Sequence, residues 1–162
     1  MVGKYAINTE TSVDKSKTDI SRLLSRYGAT TTSINETQQF ALVAAEIHGV
    51  QIRIRLDLPQ KNDPNITMTP QKRYRSKPAR EKEYQRAIKS TWRALFMILN
   101  SRLEEVDRGI STAQQAFMPW IMLPDNSIVE DHVLNTIEIA YKTGQVPSIL
   151  PESMTHSQKL LT

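Results

Sequence analysis

From Val50 to Leu58 the chain alternates strictly between apolar and polar side chains. Val50, Ile52, Ile54, Leu56 and Leu58 are interleaved with Gln51, Arg53, Arg55 and Asp57. A period of two over this length is the mark of a strand buried on one face. A second apolar run, Gln39 to Ile47, precedes it across His48-Gly49, and a glycine-bearing two-residue connection between two such runs predicts a β-hairpin over 39–58. A two-residue turn sets the register: Ile47 faces Val50, Ala45 faces Ile52 and Val43 faces Ile54, so one face of the sheet is wholly apolar. The other face carries Phe40, Leu42, Ala44, Arg53 and Arg55.

Elsewhere the apolar positions recur at helical spacing. Val13, Ile20, Leu23, Leu24 and Tyr27 follow a capping sequence at Thr11-Ser12-Val13-Asp14, and Gly28 closes that helix. A long amphipathic helix is predicted over about 77–108, with Ser76 as its cap and Pro78 in its first turn. Its apolar stripe is Tyr84, Ile88, Trp92, Leu95, Leu99, Leu103 and Val106, and Gly109 ends it. Ser111-Thr112-Ala113-Gln114 starts a short helix that Pro119 stops. Trp120 to Leu123 reads as a short strand, Pro124-Asp125-Asn126 as a turn, and Val129 to Lys142 as a last helix ended by Gly144. That helix carries Val133, Ile137, Ala140 and Tyr141, and both Tyr27 and Tyr141 read as packing residues. Thr30 to Ile34 supplies a third short strand, and residues 1–10 read as extended. The order is that of a single α+β domain over 1–151, followed by a flexible C-terminal tail over 152–162. Between the hairpin and the long helix, Pro59 to Lys77 forms a long loop with three prolines, a length that usually marks function or disorder.

Composition narrows the classes. A chain of 162 residues with 39% hydrophobic and 23% charged residues suits one globular core. The absence of cysteine removes disulfides, thiolate metal sites and cysteine nucleophiles together. No run approaches the roughly 18 apolar residues that a membrane span needs, and Met1-Val2-Gly3-Lys4-Tyr5-Ala6 has no apolar stretch behind a basic start. A cytoplasmic protein without a membrane partner is expected.

Charge changes the picture more. The net charge is +4, but Gln71 to Arg93 alone holds nine basic residues against Glu81 and Glu83, a local +7 that leaves the remainder at −3. Lys72, Arg73, Tyr74, Arg75 and Lys77 interleave an aromatic ring with cations, a combination suited to a nucleic-acid backbone and a stacked base. Arg80 follows, and Lys82, Arg86, Lys89 and Arg93 continue the charge along the side of the helix away from its apolar stripe. The rival reading is an ordinary solvated helix face, although such faces commonly mix signs at i,i+4. Phe40, Leu42, Arg53 and Arg55 form a second candidate surface, for a ligand or for another subunit. Self-association is expected, because the half-apolar sheet face and the long helix expose more apolar surface than one small core covers.

No catalytic constellation is found, and no enzyme activity, metal or cofactor is expected. Glu130-Asp131-His132 brings ligand-type residues together, but consecutive helical residues point in different directions. Asp125 and Glu130 flank a turn, where carboxylates cap helices. The five glycines form no phosphate-cradling loop.

Across the chain, a series of short motifs carries a resemblance. They are Lys4-Tyr5-Ala6 with Asn8-Thr9, Arg26-Tyr27-Gly28-Ala29, His48-Gly49, Trp92-Arg93-Ala94 and Gly109-Ile110-Ser111-Thr112. Leu123-Pro124-Asp125 and Ala140-Tyr141-Lys142-Thr143-Gly144 complete the series, with Pro147 and Pro151 behind. In this order they resemble a family of small, functionally uncharacterised proteins encoded by bacteriophages and prophages. The first strand departs from that pattern by being Thr- and Ser-rich, and Asn126 stands where a turn glycine is usual. The resemblance implies a phage protein acting in the host bacterial cytoplasm and assigns no catalytic residue. Combined with the basic segment, it gives the expectation of a phage accessory protein that binds nucleic acid, single-stranded rather than sequence-specific. The alternative is an oligomeric counter-defence module, without enzymatic activity, that binds a host protein or sequesters a nucleotide signal.

Overall fold

In the computed structural model, residues 10–145 are described, so the expected extended start and the expected tail fall outside them, apart from Glu10. Helix α1 (Val13–Arg26) begins where the side chain of Ser12 accepts the Lys15 amide, and it ends at Gly28, which takes a left-handed φ of 86°. It buries Ile20, Leu23 and Leu24, the residues at helical spacing in the sequence.

Three strands follow as an antiparallel meander: β1 (Ala29–Glu36), β2 (Phe40–Ile47) and β3 (Val50–Asp57), in the order β1-β2-β3. The hairpin register is the one the alternation predicts: Ile47 opposite Val50, Ala45 opposite Ile52, and Val43 opposite Ile54. His48 and Gly49 both adopt positive φ, 50° and 76°, the signature of a two-residue turn whose twist matches the strands. Strand β1 is longer than the predicted Thr30–Ile34, because Ala29, Asn35 and Glu36 also pair with β2, with a bulge between Ala29 and Thr31.

Short helix α2 (Pro64–Thr67) and long helix α3 (Lys77–Asp107) come next. At about 1.5 Å per residue, α3 reaches roughly 46 Å. Trp92, Leu95, Leu99 and Leu103 are its buried seam. They pack with Ile20, Leu23 and Leu24 of α1 and with the apolar sheet face, where Val43, Ile47, Ile52 and Ile54 are buried. The order of side-chain contacts shows that α1 and α3 run parallel: Lys17 lies over Trp92, Asp19 meets Arg93, and Tyr27 donates to Glu104. Ser76 occupies the N-cap position of α3, but its hydroxyl makes no capping bond.

Helix α4 (Ala113–Phe117) is opened by a reciprocal pair: Thr112 accepts the Gln115 amide and the Gln115 side chain accepts the Thr112 amide. Ala113, Ala116 and Phe117 close the core beneath it. The expected strand at Trp120 to Leu123 is not formed. Met118–Trp120 is a turn of 3₁₀ helix containing Pro119, and only Ile121 and Met122 make isolated bridges, to Ile52 and Ile128. Proline-bent backbone reaches the β3 edge at one residue and leaves again.

Helix α5 (Val129–Thr143) packs on that 3₁₀ turn and buries no residue fully. The expectation that Tyr141 packs is overturned, since its ring is 89% exposed; Ile137 is exposed as well. Tyr27, by contrast, is half-buried against the core. Among the described residues, no helix is long and apolar enough to cross a membrane.

Candidate nucleic-acid interface

The loop before α3 is built rather than slack. The Thr69 amide donates to the Arg73 carbonyl at 2.8 Å, the Arg75 amide donates to the Thr67 carbonyl at 2.9 Å, and Met68 and Tyr74 form an antiparallel bridge. Thr69 Oγ1 also accepts the Arg73 amide. The result is a small finger with Pro70 to Lys72 at its tip. Lys72 sits at a φ of 61°, an uncommon conformation for a residue with a side chain, and its amide donates to the Thr69 carbonyl. Arg75 folds back so that its Nε donates to the Met68 carbonyl at 3.1 Å. Arg75 is therefore a strut of the finger, while Lys72 and Arg73 project into solvent and the Tyr74 ring is 77% exposed.

Where the finger meets α3, Lys61, Ile66, Lys77, Arg80, Glu81 and Tyr84 line a concavity of about 310 Å³. Lys61 Nζ lies 5.0 Å from the Tyr84 ring centroid and 3.0 Å from Glu81 Oε2. Hydrogen bonds from Gln85 first and Lys61 second hold the Glu81 carboxyl below its ordinary pKa. Lys61 and Tyr84 carry no functional mark in the sequence. Lys61 lies outside the basic run, and Tyr84 reads as the first residue of the core stripe. A weak signal lies in its position, about two turns ahead of the buried seam that begins at Trp92.

The ten basic and aromatic residues expected to form one surface are divided into two. At 3.6 residues per turn, Arg80 and Lys82 are about 160° apart around α3. Lys77 and Arg80 belong with the finger and its concavity. Lys82, Arg86, Lys89 and Arg93 fall within a sector of about 60° on another side of the helix. Two of these four are engaged: Arg86 Nη2 donates to Glu83 at 2.6 Å, while Arg93 pairs with Asp19 at 3.7 Å and lies over the Phe96 ring at 4.3 Å.

The alternative surface is also engaged internally. Arg55 lies 4.1 Å over the Phe40 ring and donates to Asp57 Oδ1 at 2.8 Å. Arg53 Nη2 donates at 2.6 Å to the carbonyl of Asn126, which adopts the left-handed φ of 64° that asparagine tolerates in place of glycine. Leu42 and Phe40 are half-buried on this open face.

A Ser-His-Asp grouping forms at the start of α5 that the linear sequence does not mark. Ser127 Oγ lies 2.5 Å from Asp125 Oδ1 and 2.7 Å from His132 Nε2. The geometry is not that of a nucleophile and its base. The serine hydroxyl donates to the Asp125 carboxylate, so its oxygen accepts from the imidazole Nε2–H, and the ring nitrogen that faces the serine is a donor rather than a base. The Ser127 hydroxyl is also the main reason that Asp125 is held below its ordinary pKa. The group pins the 125–127 turn to α5. The carboxylate that caps α5 is Asp131, which accepts the Ile128 amide, rather than Asp125 or Glu130.

No family model, curated protein or solved structure matches this chain.

Proposed function

We propose that this chain is a phage-encoded accessory protein that binds single-stranded nucleic acid without sequence preference, through the finger and the start of α3. The observation that carries the reading is Tyr74, an exposed ring held on a hydrogen-bonded finger between Arg73 and Arg75 and beside the Lys77 and Arg80 concavity. A base stacks on a fixed ring whatever its identity, while phosphates collect at the surrounding cations, so affinity comes without base-edge readout. The phage assignment rests on the order of motifs from Lys4 to Pro151. The internal engagement of Arg53 and Arg55 favours this surface over the sheet face as the anion site.

The test is the salt dependence of oligothymidine binding by fluorescence anisotropy. Each neutralised phosphate on a single strand contributes about 0.7 to the log–log slope. Lys72, Arg73 and Lys77 changed together to Ala are expected to reduce the slope by about two, with the melting temperature unchanged. Arg75 is left intact, because its removal would loosen the finger. Tyr74→Ala is expected to weaken binding by roughly 1–3 kcal/mol at nearly constant slope. Absence of binding to single strands, duplex and RNA at low salt would refute the proposal.

A further inference from the structure

Parallel packing of α1 against α3 places Arg22 and Arg26 alongside Arg93. The three guanidinium groups, with Asp19, Phe96 and Asn100, line a groove of about 290 Å³ between the two helices. Arg22 and Arg26 are one helical turn apart, both exposed, and form no ion pair among the described residues. Among the described residues Asp19 is the sole carboxylate lining this groove, and its contact with Arg93 is long, 3.7 Å. The groove also continues the sector of Lys82, Arg86 and Lys89 toward the C-terminal half of α3. Beyond Arg26 the charges mix in sign, with Glu104 paired to Arg108 and Glu105 to Arg102, so the cationic stretch ends there.

We infer that this groove is a phosphodiester-binding track, and that it extends the proposed single-strand site from the finger along α3 to Arg22 and Arg26. The inference rests on the reading of the finger given above. Three arginines that converge on one groove supply forked donors suited to phosphate oxygens, and Arg93 is pre-oriented by its stack on Phe96. Asp19 occupies the place a phosphate would take at Arg93, so it acts as an internal competitor. From Lys82 to the level of Asn100 the track is about 27 Å long at ~1.5 Å per residue. At ~3.4 Å per stacked nucleotide this is about eight nucleotides.

The length of the strand separates this track from the finger. Two oligothymidines, one of about 4 and one of about 12 nucleotides, are titrated into the protein at about 50 mM salt. Arg22→Ala with Arg26→Ala is expected to weaken the longer strand about tenfold and lower its salt slope by about 1.4, leaving the shorter strand unchanged. Asp19→Asn is expected to tighten the longer strand about fivefold, since it removes the competing charge. Arg93→Lys keeps the charge but loses the fork and the ring contact, and is expected to weaken the longer strand only. If the longer strand binds and is insensitive to all three changes, while the Lys72, Arg73 and Lys77 variant loses affinity, the track is refuted and the finger stands. If neither strand binds the wild type, both readings fall. Melting temperatures for wild type and the Arg22 and Arg26 variant that agree within a few degrees accompany the expected result, because both side chains are exposed and neither forms an ion pair among the described residues.

Discussion

Ser16→Ala is expected to stabilise the protein. Ser16 is 0% exposed on the buried side of α1, and its hydroxyl has no hydrogen-bond partner among the described residues. The indole Nε1–H of Trp92, on the facing helix, is likewise buried and unpartnered. Leaving one buried polar group unsatisfied costs about 1–3 kcal/mol. Alanine is also the better helix former by about 0.5 kcal/mol, and the lost volume is a single oxygen. The sum is a gain of about 1.5–3.5 kcal/mol. In a chain of this size each kcal/mol moves the melting temperature by about 2–4 °C, so a rise of roughly 3–14 °C is expected. Circular dichroism melts and urea titrations report it directly, with an unchanged m-value as evidence that the unfolded state is unaltered. Trp92→Phe in both backgrounds completes a double-mutant cycle. A fall in stability on Ser16→Ala, with coupling to Trp92, would show that the hydroxyl and the indole N–H bond each other, which would refute the reasoning.

Two further outcomes follow from the fold. Ile54→Asp places a charge at a position 3% exposed, opposite Val43, and is expected to unfold the protein, whereas Arg53→Ala loses its bond to the Asn126 carbonyl at a cost of about 1 kcal/mol; similar melting temperatures for the two would reverse the hairpin register. Tyr27 donates to Glu104 at 2.9 Å, and this bond is the largest cause holding its hydroxyl above the ordinary tyrosine pKa, so its contribution is present at neutral pH and is lost as pH rises through the raised value. Tyr27→Phe is expected to remove that alkaline loss in melts between about pH 9 and 12, and an identical decline in both proteins would refute it.

The elements legible in the sequence are those whose cause is local. The hairpin needs only a period of two and a turn with positive φ at two positions, and both are written between Val43 and Ile54. The seam from Trp92 to Leu103 needs only a period of 3.6. Trp120 to Leu123 misleads for the complementary reason. A four-residue apolar run states that its side chains prefer shelter, but a strand also needs a partner along its whole length, and the β3 edge offers Ile121 a single bridge. Tyr141 misleads in the same way: its spacing in α5 is helical, but nothing described lies over it.

The proposed binding surface is legible in the sequence as a quantity of charge and illegible as a shape. The excess between Gln71 and Arg93 follows from counting, but counting treats Arg75, Arg86 and Arg93 as equal to Lys72 and Arg73. Tertiary structure assigns Arg75 to the Met68 carbonyl, Arg86 to Glu83, and Arg93 to Asp19 and Phe96. The same packing brings Arg22 and Arg26 from a helix some seventy residues earlier to the side of Arg93, as the parallel pairings of α1 with α3 require. Partial neutralisation within the segment is thus offset by cations recruited from outside it. What remains is two cationic surfaces on different sides of α3, the finger on one and the helix groove on the other, so that a strand reaching both would have to bend around the start of the helix. A flexible single strand can follow such a bend, whereas a stiff duplex, whose bending over 20–30 base pairs costs about 1–6 kcal/mol, is less well matched to it. The physical basis for proposing single strands rather than duplex is therefore the division of the cations around α3, which no linear count of charge contains.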